Sequence, residues 1–330
     1  MQSIPRGVDV SVVICTFNGQ DRLPEVLDAL MVQTVPPEIR WEIVVVDNNS
    51  TDRTAEVAAA YGLHSSVPLI VATESTQGLV YARRRGLLAS TGQFISFLDD
   101  DTIVDAGWVQ AIYEFFRTHE RAGLVGPKII PQLDVEPPGY FDLIKRALGI
   151  TDLGNETLEL TLSKRGHPLG PHSGCRRVAI EPFLQRDSFD VIGRCGNQLS
   201  SSEDSILAHD VRRGGWQWWY EPRMRLWHHI PPYRLTEEYL RRLMEGLAES
   251  VAQIKVAELG HSLSLVEVIR CLFGMAARYA YRALTSLIGL TEAKRKYSEI
   301  IRVYYRKAII SYVTEYKRSA YEDKHRRPVV

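Results

Sequence analysis

The chain of 330 residues is 45% hydrophobic and 24% charged, enough apolar material for one large core and an appendage. Forty Lys and Arg cancel forty Asp and Glu, so no global field draws nucleic acid to the protein and any basic surface is local. The four cysteines, Cys15, Cys175, Cys195 and Cys271, form no CxxC pair, which excludes a zinc knuckle and a dithiol redox motif.

The N-terminal residues reach a strand-like run without the basic start, apolar stretch and small-residue cleavage site of a signal peptide. No window of about 18 residues is apolar throughout, so a simple membrane span is not expected. With a cysteine in a buried strand, this places the protein in the cytoplasm or on a cytoplasmic membrane face.

In chain order, VSVVIC (10–15) and EIVVVD (42–47) are continuous apolar runs of buried-strand length, as parallel strands covered on both faces should be. Between them Leu23, Val26, Leu27 and Leu30 recur at helical spacing. After Asp47, Ser50 or Thr51 is the predicted N-cap of a helix that carries Glu56 early and stops at Gly62. A third strand over 67–72, a helix over about 78–90 and a fourth strand, FISFLDDD (94–101), complete an alternating α/β series.

From about 127 to 195 prolines and glycines interrupt the pattern, as in a long functional loop. A helix over about 203–213 follows, then WQWWYEP and RMRLWHH, and from Leu235 the chain is predicted mainly helical. In open α/β sheets ligands bind beyond the carboxyl ends of the strands, where Asp47 and Asp99, Asp100 and Asp101 fall.

Three consecutive aspartates at a strand end repel one another unless cations or hydrogen-bond donors compensate. Hard oxygen ligands suit Mg2+ or Mn2+, which take one or two carboxylates and complete their shell with water and substrate phosphates. The guest of such a site is a diphosphate; the plainer reading is a solvated acidic turn. Asp47 either accepts hydrogen bonds from a nucleobase edge or ribose, or caps the 48–51 turn. Of Arg83, Arg84 and Arg85 on one predicted helix, at most two face a common site.

With these residues in view, the sequence resembles the family 2 glycosyltransferases, whose fold is GT-A: a Rossmann-like α/β domain with a mostly parallel central sheet. The matching segments are CTFNG, VVVDNNSTDRT, QGLVYARRRG leading to FISFLDDD, and SSEDSILAHDVRRGG followed by a strand and two histidines, over roughly residues 9–230. The resemblance implies a catalytic domain over 1–234, with a nucleotide-binding half at 1–126 and an acceptor-binding half at 127–234. A C-terminal helical extension covers 235–330.

It also implies that Thr16 and Asn18 line the nucleotide pocket, that Asp47 binds the base and that Arg83 helps hold the donor. The family's usual asparagine after that arginine is Arg84 here. Asp99 and Asp101 match the DxD pair, with Asp101 the direct ligand of Mn2+ or Mg2+ and Asp99 near the ribose or a metal-bound water; Asp100 lies between them at the sugar nucleotide. Glu203 and Asp204 match the acidic pair heading a helix, Asp204 as general base, although a helix-capping role fits too. His228 matches the histidine that completes the metal site, with His229 as runner-up.

The implied reaction is an inverting displacement in which a UDP- or GDP-sugar gives its sugar to a saccharide or lipid-linked acceptor, in polysaccharide or glycolipid biosynthesis. Alternatives are a sugar-nucleotide-binding module without catalysis and a metal-dependent nucleotidyltransferase, which would carry a glycine-rich phosphate loop where CTFNGQDRL stands. Among Trp216, Trp218 and Trp219, at least one is expected in the core and at most two on a sugar-stacking wall.

In the C-terminal extension, Glu267, Arg270, Arg278 and Arg282 share one arc of about 120° on a helical wheel. Leu265, Ile269, Leu272, Phe273, Ala276, Ala280, Leu284 and Leu287 occupy the other side. Residues 291–330 carry eleven Lys and Arg against five Asp and Glu. This pattern suits an anionic membrane surface; packing on the catalytic domain or in a homo-oligomer is the alternative.

Overall fold

The computed structural model describes residues 7–161, 173–184, 203–287 and 292–325. Cys195 and much of the expected acceptor loop lie outside them.

The N-terminal half alternates as the apolar runs require: β1 (Val10–Thr16), α1 (Leu23–Met31), β2 (Trp41–Asp47), α2 (Thr54–Gly62), β3 (Leu69–Thr73), α3 (Leu79–Ala89) and β4 (Phe94–Asp99). β1 and β2 are buried at every position, as strands inside a covered parallel sheet should be. On α1 the residues Leu23, Val26, Leu27 and Leu30 are all buried, so the helical periodicity marks the face turned to the sheet.

β5 (Thr102–Val104), α4 (Trp108–Thr118), β6 (Ala122–Leu133), α5 (Phe141–Ile144), β7 (Leu158–Leu160), β8 (Gly174–Arg176), α6 (Arg177–Leu184), α7 (Glu203–Arg213) and β9 (Gln217–Ile230) follow. A 3-10 turn over Pro232–Leu235 then leads to α8 (Glu237–Glu249), α9 (Val251–Leu259), α10 (Leu265–Leu287) and α11 (Glu292–His325).

The strands form one sheet in the order β3-β2-β1-β4-β8-β6-β9-β5, with β7 added on β9. β3, β2, β1 and β4 are parallel, whereas β8 runs antiparallel to β4 and to β6. The chain winds outward from β1 to β3 and then returns to place β4 on the other side of β1. That reversal opens a crevice at the carboxyl ends of β1 and β4, the usual ligand position in such sheets.

Three local expectations change. The fourth strand ends at Asp99, and Asp100 and Asp101 form a turn before β5. WQWWYEP and RMRLWHH are one continuous strand, β9, with Pro222 inside it. α2 begins at Thr54 rather than after Ser50 or Thr51, because those two residues are engaged elsewhere: Ser50 Oγ accepts from Asn18 N at 2.9 Å and Thr51 N donates to Asn18 Oδ1 at 2.8 Å.

The chain divides into two compact units. Of the described residues, 7–132, 149–161, 173–184 and 203–229 belong to the first, and 133–148 with 230–287 and 292–325 to the second. In the second unit α11 packs along α8, α9 and α10. Ser311 of α11 fills the break between α8 and α9, donating to Glu249 O at 2.6 Å and accepting from Ala252 N at 3.4 Å.

Candidate active site

The candidate site residues lie in the first unit, at or just past the ends of β1, β2, β4 and β9, at the start of α7 and, for Arg83, on α3. The loops after β1 and β2 are zipped together by polar side chains. Besides the two Asn18 bonds, Gly19 N donates to Thr54 Oγ1 at 2.8 Å, Gln20 N to Asp52 Oδ2 at 3.2 Å, and Arg53 N to Gln20 Oε1 at 3.0 Å. Asn18 occupies the left-handed region at φ 47°, which asparagine tolerates better than most residues. Asn18 therefore ties the two loops together, giving its N–H to Ser50 and accepting the Thr51 N–H.

Asp47, buried at the end of β2, accepts from Ser50 N at 3.1 Å and so caps the turn that follows. Next to it, Asn48 donates to Glu74 O and Thr76 O and accepts from Gly78 N, tying the β2 end to the start of α3.

The three aspartates separate by partner. Asp100 receives the Thr16 hydroxyl at 2.6 Å and the Arg22 guanidinium at 3.0 and 2.9 Å, a fork on both of its oxygens. A Cβ at Gly19 would overlap Thr16 Oγ1 and Asp100 Oδ2, so this clamp requires glycine there. The middle aspartate is thus internally neutralised, and Thr16 spends its hydroxyl on it. Arg22 is a site residue that the sequence reading missed; nothing in a basic residue before a helix announces a partner 78 positions away.

Asp101 turns the other way. Its Oδ2 lies 3.6 Å from His228 Nε2, and its carbonyl accepts from His229 N at 3.1 Å, while β5 pairs with β9 so that Thr102 stands opposite His228. Neighbouring strand residues point to opposite faces, so only one of the two histidines can turn toward Asp101, and it is the buried His228.

Among the described residues no group of three or more His, Cys, Asp or Glu side chains is gathered to enclose an ion. Asp101 and His228 nevertheless suit a cation that takes few protein ligands and completes its shell with diphosphate oxygens and water. Their spacing is slightly wider than the ~3 Å edge of an octahedral shell with bonds of about 2.1 Å, a gap that a small side-chain rotation closes.

The acidic pair sits at the first turn of α7, where exposed backbone amides favour carboxylates. Glu203 is 2% exposed and Asp204 12%. Both face Arg83 of α3: its Nη1 contacts Asp204 Oδ1 directly and lies 3.9 Å from Glu203 Oε1. Burial works against the charge on Arg83, but Asp204, Glu203 and Asp99 outweigh it and hold the guanidinium firmly protonated. The buried thiols of Cys15 and Cys175, beside the same arginine, are pushed up to about 12 by desolvation and behave as apolar packing.

The tryptophans belong to the body of the unit. Trp218 is fully buried and donates to Ala208 O at 2.9 Å. Trp219 meets His119 edge-on with ring centroids 4.6 Å apart, and Arg176 lies 5.9 Å over the Trp216 ring. From Trp219 to His228 is roughly 30 Å along β9 at about 3.3 Å per residue, too far for a wall around Asp101 and His228.

A sheet with this switch point, an acidic turn facing a histidine and an acid pair on a helix start are the features that the resemblance to GT-A transferases leads one to expect. Residues 11–167 match the model of the glycosyl transferase family 2. The chain is 24% identical over 253 residues to a glucosyl-dolichyl phosphate glucuronosyltransferase of Haloferax volcanii, an alignment covering 74% of this chain and 77% of that protein. It is 33% identical over 135 residues to a PGL/p-HBAD biosynthesis glycosyltransferase of Mycobacterium bovis, covering 40% of this chain and 52% of that one. Among solved structures, the mannosyltransferase PcManGT from Pyrobaculum calidifontis, in complex with GDP-Man and Mn2+, superposes with a TM-score of 0.58 at 19% identity, covering 94% of this chain and 87% of that one. Over its N-terminal half the chain is thus similar to the family 2 glycosyltransferases, and its fold is similar to theirs.

Proposed function

We propose that the chain transfers a sugar from a UDP- or GDP-sugar to an acceptor hydroxyl by a single inverting displacement. The observation that carries this reading is the surroundings of Arg83, which feels Asp99 at the end of β4 together with Glu203 and Asp204 on α7. The donor end of the sheet and the acid pair therefore share one locus. In this reading Asp101 and His228 hold Mn2+ or Mg2+, with Asp99 beside them, and the ion when bound neutralises charge developing on the departing diphosphate. Asp204 accepts the acceptor proton, a contribution of roughly 10² to 10⁴ in rate. The Asn18 and Asp47 loops form the wall for the nucleotide.

The acceptor in this reading is a saccharide or a lipid-linked saccharide, and the enzyme works in polysaccharide or glycolipid assembly at a membrane surface. The Haloferax relative is named for a dolichyl phosphate substrate, which supports a lipid carrier. No helix among the described residues is long and apolar enough to cross a membrane. α10, however, exposes Leu265, Val266, Ile269 and Phe273, with Arg270 and Arg278 also exposed. Such a face suits an anionic interface.

The test is a panel of UDP- and GDP-sugars with Mn2+, read as nucleoside diphosphate release. Slow release from one donor, accelerated by an acceptor saccharide, is expected. Binding without release from any donor would leave only a sugar-nucleotide-binding module.

A further inference from the structure

We propose that Arg83 is the positioning residue for the acid pair on α7: it fixes Asp204 for proton acceptance and does not itself bind the donor. The proposal rests on Asp204 being the base.

Arg83 precedes Gly86 by one helical turn, and a Cβ at Gly86 would overlap Val13 Cγ1 and press on Val46. Glycine there lets α3 lie directly on β1 and β2. Residues three apart share a helix face, so the same close approach carries Arg83 inward. Its guanidinium ends 5.9 Å from the centroid of the Phe97 ring on β4, with Cys15 of β1 close by.

Only 3% of the Arg83 side chain is exposed, and it faces two carboxylates through a single nitrogen. A guanidinium buried to that degree offers almost no surface to an arriving diphosphate. Asp204, at 12% exposure, is the member of the cluster that an acceptor hydroxyl can reach. Without the arginine, Glu203 and Asp204 would be adjacent like charges in a low-dielectric site, driven apart by repulsion. With it, the charge-assisted contact fixes the direction of the Asp204 carboxylate, and misdirection of a reacting group by about 1 Å costs on the order of 10² in rate.

The test compares wild type with R83K, R83M, D204N and R83M/D204N. Turnover is read as nucleoside diphosphate release from the sugar nucleotide that the wild type hydrolyses. Affinity is read by calorimetry with the matching nucleoside diphosphate and Mn2+. R83M should lower kcat by roughly 10² while nucleotide affinity stays unchanged, and R83K should recover part of the loss. R83M/D204N should be no slower than D204N, because two changes to one working unit do not add.

Weakened nucleotide binding in R83M with kcat retained, or a double variant far slower than D204N, overturns the proposal. If R83M does not fold, R83K and R83K/D204N carry the same comparison. D204N separates this idea from the one beneath it. Full turnover in D204N removes the base and the role of Arg83 with it. A slow D204N beside an R83M that binds nucleotide poorly leaves the base standing and removes only the positioning role.

Discussion

Asp99, Asp100 and Asp101 are chemically identical, and their neighbours give them different work. Asp100 is taken by Thr16 and Arg22, whereas Asp101 faces His228. Asp101→Ala is expected to abolish Mn2+-dependent nucleotide binding in calorimetry while leaving thermal stability close to wild type, since a carboxylate at a turn contributes little to the core. Unchanged metal affinity would return Asp101 to a structural turn. Asp204→Asn keeps the shape of the α7 start and removes the proton acceptor. Donor affinity should survive and turnover should fall by roughly two orders of magnitude or more. Near-normal turnover would mean that Asp204 only caps its helix.

At the scale of elements, the site depends on how closely α3 lies on the sheet. Gly86 has no room for a methyl group against Val13, so Gly86→Ala must push the helix outward or distort β1. Overpacking of this kind costs about 1–3 kcal/mol. Denaturant unfolding should show that loss, and turnover should fall further than stability alone explains because Arg83 moves with the helix. An alanine variant as stable and active as wild type would show that α3 shifts freely. The paired loops after β1 and β2 explain why α2 starts later than its cap chemistry predicts. Ser50 and Thr51 have the chemistry of a helix cap, but Asn18 uses both. Residues that cap or bridge cannot be told apart until the neighbouring loop is in place.

At the scale of the whole molecule, α10 turns Val268 and Met275 inward and leaves Phe273 73% exposed. The helix start is well made: Ser264 and Glu267 satisfy each other's backbone amides, a capping box. An apolar outer face on a firmly capped helix, followed by a basic segment, is expected to sediment the full chain with anionic liposomes at low salt. Phe273→Asp, at an exposed position, should weaken that binding without unfolding the protein. Wild type remaining in the supernatant would exclude the membrane face, and a concentration-dependent dimer lost in the same variant would assign it to self-association.

The parallel half of the fold was legible in the sequence because strands buried on both faces need near-continuous apolar runs rich in Val and Ile, and VSVVIC and EIVVVD come close to that. The acid pair was legible because a carboxylate at a helix start is a local arrangement of adjacent residues. What only the tertiary structure decided is every relation between distant segments: which aspartate Arg22 neutralises, which histidine turns toward Asp101, and that Arg83 meets Asp204, 121 positions away. Local chemistry chooses the residue types, but a side chain's partner depends on where the sheet and the helices on it bring remote chain together. One-dimensional spacing carries no record of that distance.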